Sequence, residues 1–247
     1  WSSDVCSSDL VPSPCTLDLT LTEGLTSGIM ADHHVRRSIG EHILRCSVLI
    51  VALFIMSLGI ALSAKANLGV SPISCTPYVL SLALPLTMGT VTILMHLTFV
   101  AVQAALLKRN FRPAHLLQIP VVFLFGALTD FSMWLMAPLE PGGYLWSAVL
   151  CLLSCLVIGF GVFLQVKADA VLLAAEGMSL AFVKLFKWEF GAVKTSVDCM
   201  LVCIGLVCSL TLLPGLTGIR EGTIVAAVLV GMIVRFFNRH VFWPDRL

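Results

Sequence analysis

Six stretches along the chain are apolar almost without interruption and long enough to cross a bilayer, which takes about 20 residues of helix. They fall at about 46–66, 88–107, 114–136, 145–166, 193–213 and 222–238. Two shorter apolar segments, about 70–86 and 170–186, lie between the first and second and between the fourth and fifth runs. The pattern predicts an all-α polytopic membrane protein of about six transmembrane helices, with the two short segments re-entrant or half-spanning. Ahead of the first run, residues 1–29 are polar and Thr-rich, and WSSDVCSSDL reads as a translated scar. That stretch is set aside as a non-native or disordered leader. Residues 30–45 form a basic cytoplasmic lead-in. Residues 46–136 and 145–240 form two membrane halves. The first apolar run is too long for a signal peptide.

The chain matches itself at an offset of 102. GIALSAKAN (Gly59 to Asn67) lies over GVFLQVKAD (Gly161 to Asp169), and Gly89 and Val91 lie over Gly191 and Val193. Each copy carries three spans. An odd number reverses the direction in which the second copy enters the membrane, so the expectation is a 3+3 inverted repeat. Many secondary transporters have this architecture, with a site near the midplane where interrupted helices meet.

Composition agrees with lipid as the solvent. The chain is 58% hydrophobic and 12% charged, with a mean hydropathy of +1.00, against about 25% charged residues in a soluble domain. The net charge of +1 offers no basic face to nucleic acid. The placement of charge sets the topology, since Lys and Arg favour cytoplasmic loops. With both termini inside and the short segments not crossing, 12 of the 15 Lys and Arg residues are cytoplasmic and only Lys65 and Arg220 lie outside, Lys194 being near or within a helix. If both short segments crossed, the division would be 8 against 6.

The nine cysteines sit mainly inside apolar runs, Cys151 with Cys155 and Cys199 with Cys203 at i,i+4, and no CxxC occurs. They read as small apolar residues; neither a metal site nor a cofactor is expected. No HExxH, GxSxG or P-loop occurs, so the chain is not read as an enzyme.

The polar residues left inside the apolar runs are the candidate substrate path. Asn67-Leu68-Gly69-Val70-Ser71-Pro72 reads as a helix stop at Gly69 and a restart with Ser71 as N-cap and Pro72 at the first helical position; the alternative is an ordinary loop. Its counterpart has Lys167 and Asp169 but no helix-ending glycine and no proline. Glu176, on the second short segment, faces either water or a cavity. His96 lies over Asp198 and Thr92 over Lys194 in the repeat. Lys194 and Asp198 are i,i+4, which suits either a salt bridge that locks packing or a proton- or ion-coupling pair. Lys65 and Asp130 complete the set.

MSLGIALSAKANLGVSPISCTPYVLS followed by MGTVTIL resembles the YczE/YyaS/YitT-like membrane proteins, with the family's small-residue helix, A-x-LG-x-x-P segment and G-T helix start on Ala66, Leu68, Gly69, Pro72, Gly89 and Thr90. Ile73 and Ser74 stand where that family often has acidic or aromatic residues, and the second copy has Val171 and Ala174 in place of glycine and proline. The resemblance implies a multi-pass protein of the bacterial inner membrane and no particular substrate. The expected function is a permease for a small solute, with a small solute or coupling ion and the lipid bilayer as partners. The alternative is a membrane regulator or scaffold that docks a cytoplasmic partner. A transporter requires Lys194, Asp198 and the 67–72 break to converge on a cavity.

Overall fold

The computed structural model describes residues 39–108, 113–139, 142–214 and 218–240. The leader at 1–29, most of the lead-in at 30–45, Arg36, Arg37, Arg109, Arg112 and Arg246 lie outside them. Eight α-helices are described: α1 (Ile39–Ala66), α2 (Pro72–Ala83), α3 (Met88–Leu107), α4 (Gln118–Leu135), α5 (Tyr144–Ala168), α6 (Ala174–Phe186), α7 (Phe190–Leu212) and α8 (Glu221–His240). A 3-10 turn, Pro113–Leu117, leads into α4. Six of the helices are long and apolar enough to span: α1, α3, α4 with its leading turn, α5, α7 and α8. The chain is an integral membrane protein of helical, polytopic type. At a rise of 1.5 Å per residue, α2 and α6 reach roughly 18–20 Å, short of the roughly 30 Å hydrocarbon core.

The offset of 102 returns as architecture. α1 and α5 end on Ala66 and Ala168; α2 and α6 begin on Pro72 and Ala174; α3 and α7 begin on Met88 and Phe190. In each copy the residue after the first helix adopts a positive φ, 54° at Asn67 and 42° at Asp169. Asp169 therefore ends α5 although no glycine follows it, because Asn and Asp tolerate the left-handed conformation that stops a helix. The second break is thus as well formed as the first.

The central element is the antiparallel pair α1 and α5, and its contact repeats itself. A Cβ on Gly59 would stand 2.9 Å from Ile158 N and 3.2 Å from Ser154 O; one on Gly161 would stand 2.9 Å from Met56 N and 3.2 Å from Ala52 O. Ile158 is the repeat counterpart of Met56, and Ser154 that of Ala52. Each glycine thus meets the other copy's equivalent surface, as a two-fold axis through the pair requires. Small residues at such crossings let backbones approach, which is where packing between helices in lipid gains most.

The outer helices obey the same axis. α4 packs on α1 and α8 on α5, while α2 crosses to α7 and α6 crosses to α3. The two halves are therefore interlocked rather than side by side. Most span edges fall within a few residues of the sequence expectation, and the largest shift is at the start of α1. α1 starts at Ile39, because a polar helical turn containing Glu41 and His42 precedes the apolar run; α5 begins at Tyr144 and α7 at Phe190. Helical geometry continues past the apolar stretch, and hydropathy does not register it.

Candidate functional site

Between the hairpins α2–α3 and α6–α7 lies a pocket of about 690 Å³. Its walls are apolar except for the hydroxyls of Thr76, Thr98 and Ser196 and the indole N–H of Trp188. The lining comes in repeat pairs. Thr76 faces the same space as its counterpart Met178, and so do Leu80 and Phe182, Leu86 and Trp188, Val91 and Val193, and Leu94 and Ser196. Met95 with Val197, Thr98 with Met200, Phe99 with Leu201, and Val102 with Ile204 complete the series, leaving Leu84 alone unpaired. The pocket therefore lies on the two-fold axis that relates the repeats. Leu94, Trp188 and Met200 are about half exposed, so its rim is open and apolar.

A polar cluster stands beside one wall of this pocket. His96 on α3 is 1% exposed, held edge-on between Phe99 and Phe125 at ring-centroid distances of 5.6 and 5.9 Å. Lys194 Nζ donates to Asp198 Oδ1 at 2.7 Å on α7. Lys194 is within electrostatic reach of both His96 and Glu176. Glu176 occupies the first turn of α6, where a carboxylate suits the helix dipole. Its Oε2 is shielded and has no hydrogen-bond partner among the described residues. Four of the sequence candidates, His96, Glu176, Lys194 and Asp198, thus fall in one region.

Two buried glutamines that the sequence reading passed over join them. Gln103 is 0% and Gln118 5% exposed. A Cβ on Gly177, next to Glu176, would overlap Gln103 Nε2 and stand 2.8 Å from Gln118 Nε2. A signal for Gln103 exists in the sequence. It follows His96 by seven residues, two helical turns, and so shares its face.

The remaining candidates are spent on structure. Ser71 does precede α2 with Pro72 at its first position, but its side chain makes no capping bond and donates to Ser74 Oγ at 3.1 Å. The break is closed by the start of α8. Gly222 N donates to Leu68 O at 2.9 Å, Arg220 donates to Asn67 O at 3.2 Å, and Gly69, at φ 112°, lets the Thr223 backbone approach. Lys65 Nζ donates to Ala137 O beyond the end of α4. Lys167 is half-buried near the end of α5, and Asp169 pairs with Arg45 at 3.3 Å. The 67–72 break and the Lys194–Asp198 pair do not converge, because protein groups fill the break.

Asp130 has a structural task. Oδ1 accepts from Gly89 N and Oδ2 from Thr87 Oγ1, both at 2.7 Å, so the carboxylate caps α3 from α4 and ties the two helices where Gly89 meets Gly126. The second copy lacks this clamp. Gly191 faces open space, and Val228 and Met232, the counterparts of Gly126 and Asp130, are both 59% exposed. Accordingly α3 packs on α4, while α7 and α8 do not pack in the corresponding way. One half of the molecule is tied by hydrogen bonds at this point and the other is not.

Among the described residues, no group of three or more His, Cys, Asp and Glu side chains is placed to hold a metal ion. The model of a family of unknown function, DUF6198, matches residues 43–239. No curated protein and no solved structure matches the chain.

Proposed function

The chain belongs to the DUF6198 family of unknown function, and we propose that it is a carrier that moves a small amphipathic solute across the bilayer by exchanging the conformations of its two repeats. The expected convergence of Lys194, Asp198 and the 67–72 break on a cavity is not met, and the observation that supports a carrier is instead the lining of a separate, largely apolar pocket by repeat-paired residues. In an inverted repeat, a site on the axis is presented alike to both sides when the halves exchange conformations, which is the requirement of alternating access. The lining favours a solute with an apolar body over a sugar or a free ion, since one indole N–H and three hydroxyls that already donate to backbone carbonyls could not replace the hydration of a strongly polar ligand. An apolar rim suits entry from the hydrocarbon.

The reading places the protein in a bacterial cytoplasmic membrane, in keeping with the resemblance of its first repeat to the YczE/YyaS/YitT-like proteins. The end of the bundle where Arg45 meets Asp169 is cytoplasmic, because with six spans Lys108, Lys184, Lys187, Arg235 and Arg239 fall on that side. A cysteine introduced at Lys108 should resist an impermeant thiol reagent in intact cells and react after permeabilisation. Strong labelling in intact cells would refute this orientation.

Solute binding is tested by thermal shift of the purified protein against quaternary ammonium ions, fatty acids and aromatic amphiphiles. A ligand should raise the midpoint by the linkage relation RT ln(1 + [L]/Kd). Thr98→Trp and Met200→Trp fill the pocket from opposite walls and should each weaken that ligand more than tenfold while the protein remains folded. If no amphiphile stabilises the wild type, or if both variants bind as well as it does, the carrier reading fails and a scaffold that docks a cytoplasmic partner takes its place.

A further inference from the structure

α4 and α8 hold equivalent places in the two repeats, yet only one of them is covered. Val122, Gly126 and Asp130 stand four residues apart on α4 and so form one stripe, which faces α3. Val122 is 0% exposed in a cluster with Phe99 and Val100, Gly126 touches Ile93, and Asp130 accepts from Gly89 N. The counterparts on α8 are Ile224, Val228 and Met232, at 72%, 59% and 59% exposure. The matching surface of α7 is equally bare. Gly191, the counterpart of Gly89, meets nothing within 4 Å, and Thr195, that of Ile93, is exposed. The first repeat thus shows what fits the bare face of α8: the start of α7.

The packing divides the helices as an exchange of these contacts requires. α4, α1, α5 and α8 pack in that order through the Gly59–Gly161 crossing, while α2, α3, α6 and α7 pack on one another around the pocket. The main contact between the two groups is α3 on α4. Rocking the pocket-bearing group would free α3 from α4 and lay α7 on α8, which is the same arrangement with the repeats interchanged. Two sequence differences decide which arrangement is held. Asp130 bonds to Gly89 N and Thr87 Oγ1, whereas Met232 has no such acceptor to offer. Lys194 and Asp198 stand on α7 where α3 has Thr92 and His96. His96 is 1% exposed beside Phe125, whereas the ion pair keeps 28% exposure on each side chain. Laying α7 on α8 would bury that pair at a desolvation cost.

We infer that the structure is one of two end states, that the group of α2, α3, α6 and α7 swings from α4 to α8, and that Asp130 is the latch of the state seen here. The inference deepens the carrier reading and rests on it for the purpose of the motion. In the orientation argued above, the Gly89–Asp130 contact lies toward the outside and Gly191 toward the cytoplasm. The latched state is therefore closed at its outer end, and the open cleft between α7 and α8 is cytoplasmic.

The test is an oxidative cross-link of Gly191→Cys/Val228→Cys in the full-length protein in membranes. Copper phenanthroline is the oxidant, and the product is read by peptide mass spectrometry and on non-reducing gels. Each single cysteine variant controls for the native cysteines. The two positions are the counterparts of Gly89 and Gly126, whose backbones are in contact, so the bond forms only when α7 lies on α8. With Asp130 in place, a minor fraction should cross-link within the chain. Asp130→Ala removes both acceptors without adding bulk and should raise the cross-linking rate about tenfold, the scale of one hydrogen bond to a charged group. Lys194→Met/Asp198→Asn removes the opposing cost and should raise the rate as well, so the result does not hang on the folding of one variant. No cross-link within the chain in any of these backgrounds would overturn the exchange. A cross-link between two chains would also overturn it, because a second copy would then cover α8. Equal rates with and without Asp130 would overturn the latch. No solute is added, so the outcome stands apart from the solute screen: a protein that cross-links as expected and binds no amphiphile keeps the motion and loses the carrier reading.

Discussion

Gly59→Ala and Gly161→Ala are each expected to lower stability by about 1–3 kcal/mol, the usual cost of inserting a methyl into a closed packing. Each new Cβ would stand 2.9 Å from a backbone nitrogen of the opposing helix, Ile158 N in one case and Met56 N in the other. Backbone atoms cannot rotate aside as a flexible side chain can, so α1 and α5 must separate. Because a two-fold axis relates the two contacts, the two losses should agree closely. The separation that relieves one clash also relieves the other, so the double variant should cost less than the sum. Gly191→Ala and Gly231→Ala are the controls. Nothing lies within 4 Å of the added atom in either, and both should stay within about 0.5 kcal/mol of the wild type, as surface substitutions do. The measurement is thermal or denaturant unfolding in one detergent. Single variants that differ by more than the error, or controls that lose as much, would contradict an internally symmetric crossing.

These glycines also show why the repeat was legible in the sequence. The residues that match at an offset of 102 include those that pack on each other's copy, so the same constraint acts twice. Span number was legible for a similar reason, since bilayer thickness sets a length and the sidedness of Lys and Arg sets the parity. The breaks were legible where Gly69 and Pro72 mark one. The other was obscured because Asp169 does a glycine's work at φ 42°. Partners of polar side chains were not legible. Lys65 goes to Ala137 O and Asp130 to the start of α3, and which of two helices a polar residue meets depends on their rotation about their axes. The pocket was hidden for a further reason. Residues such as Leu94 and Met200 are the same in composition as any lipid-facing surface, and only their placement across the axis distinguishes them. Gln103 and Gln118 were the missed signal, two lone amides in apolar runs, where an unpaired carboxamide costs enough to call for an explanation.

Asp198→Asn is expected to destabilise by about 3 kcal/mol, the low end for removing one partner of a buried ion pair. The low end applies because each side chain keeps 28% exposure. The loss should shrink to under about 1 kcal/mol when Lys194→Met is added, since the uncompensated ammonium is then gone. A third group gives this cycle its diagnostic value. Lys194 is within electrostatic reach of Glu176, so an ammonium released from Asp198 can turn to that carboxylate and recover part of the loss. In a Glu176→Gln background that refuge is absent, and Asp198→Asn should cost more than it does in the wild type. If Asp198→Asn costs the same with and without Glu176, the three groups do not form one electrostatic unit.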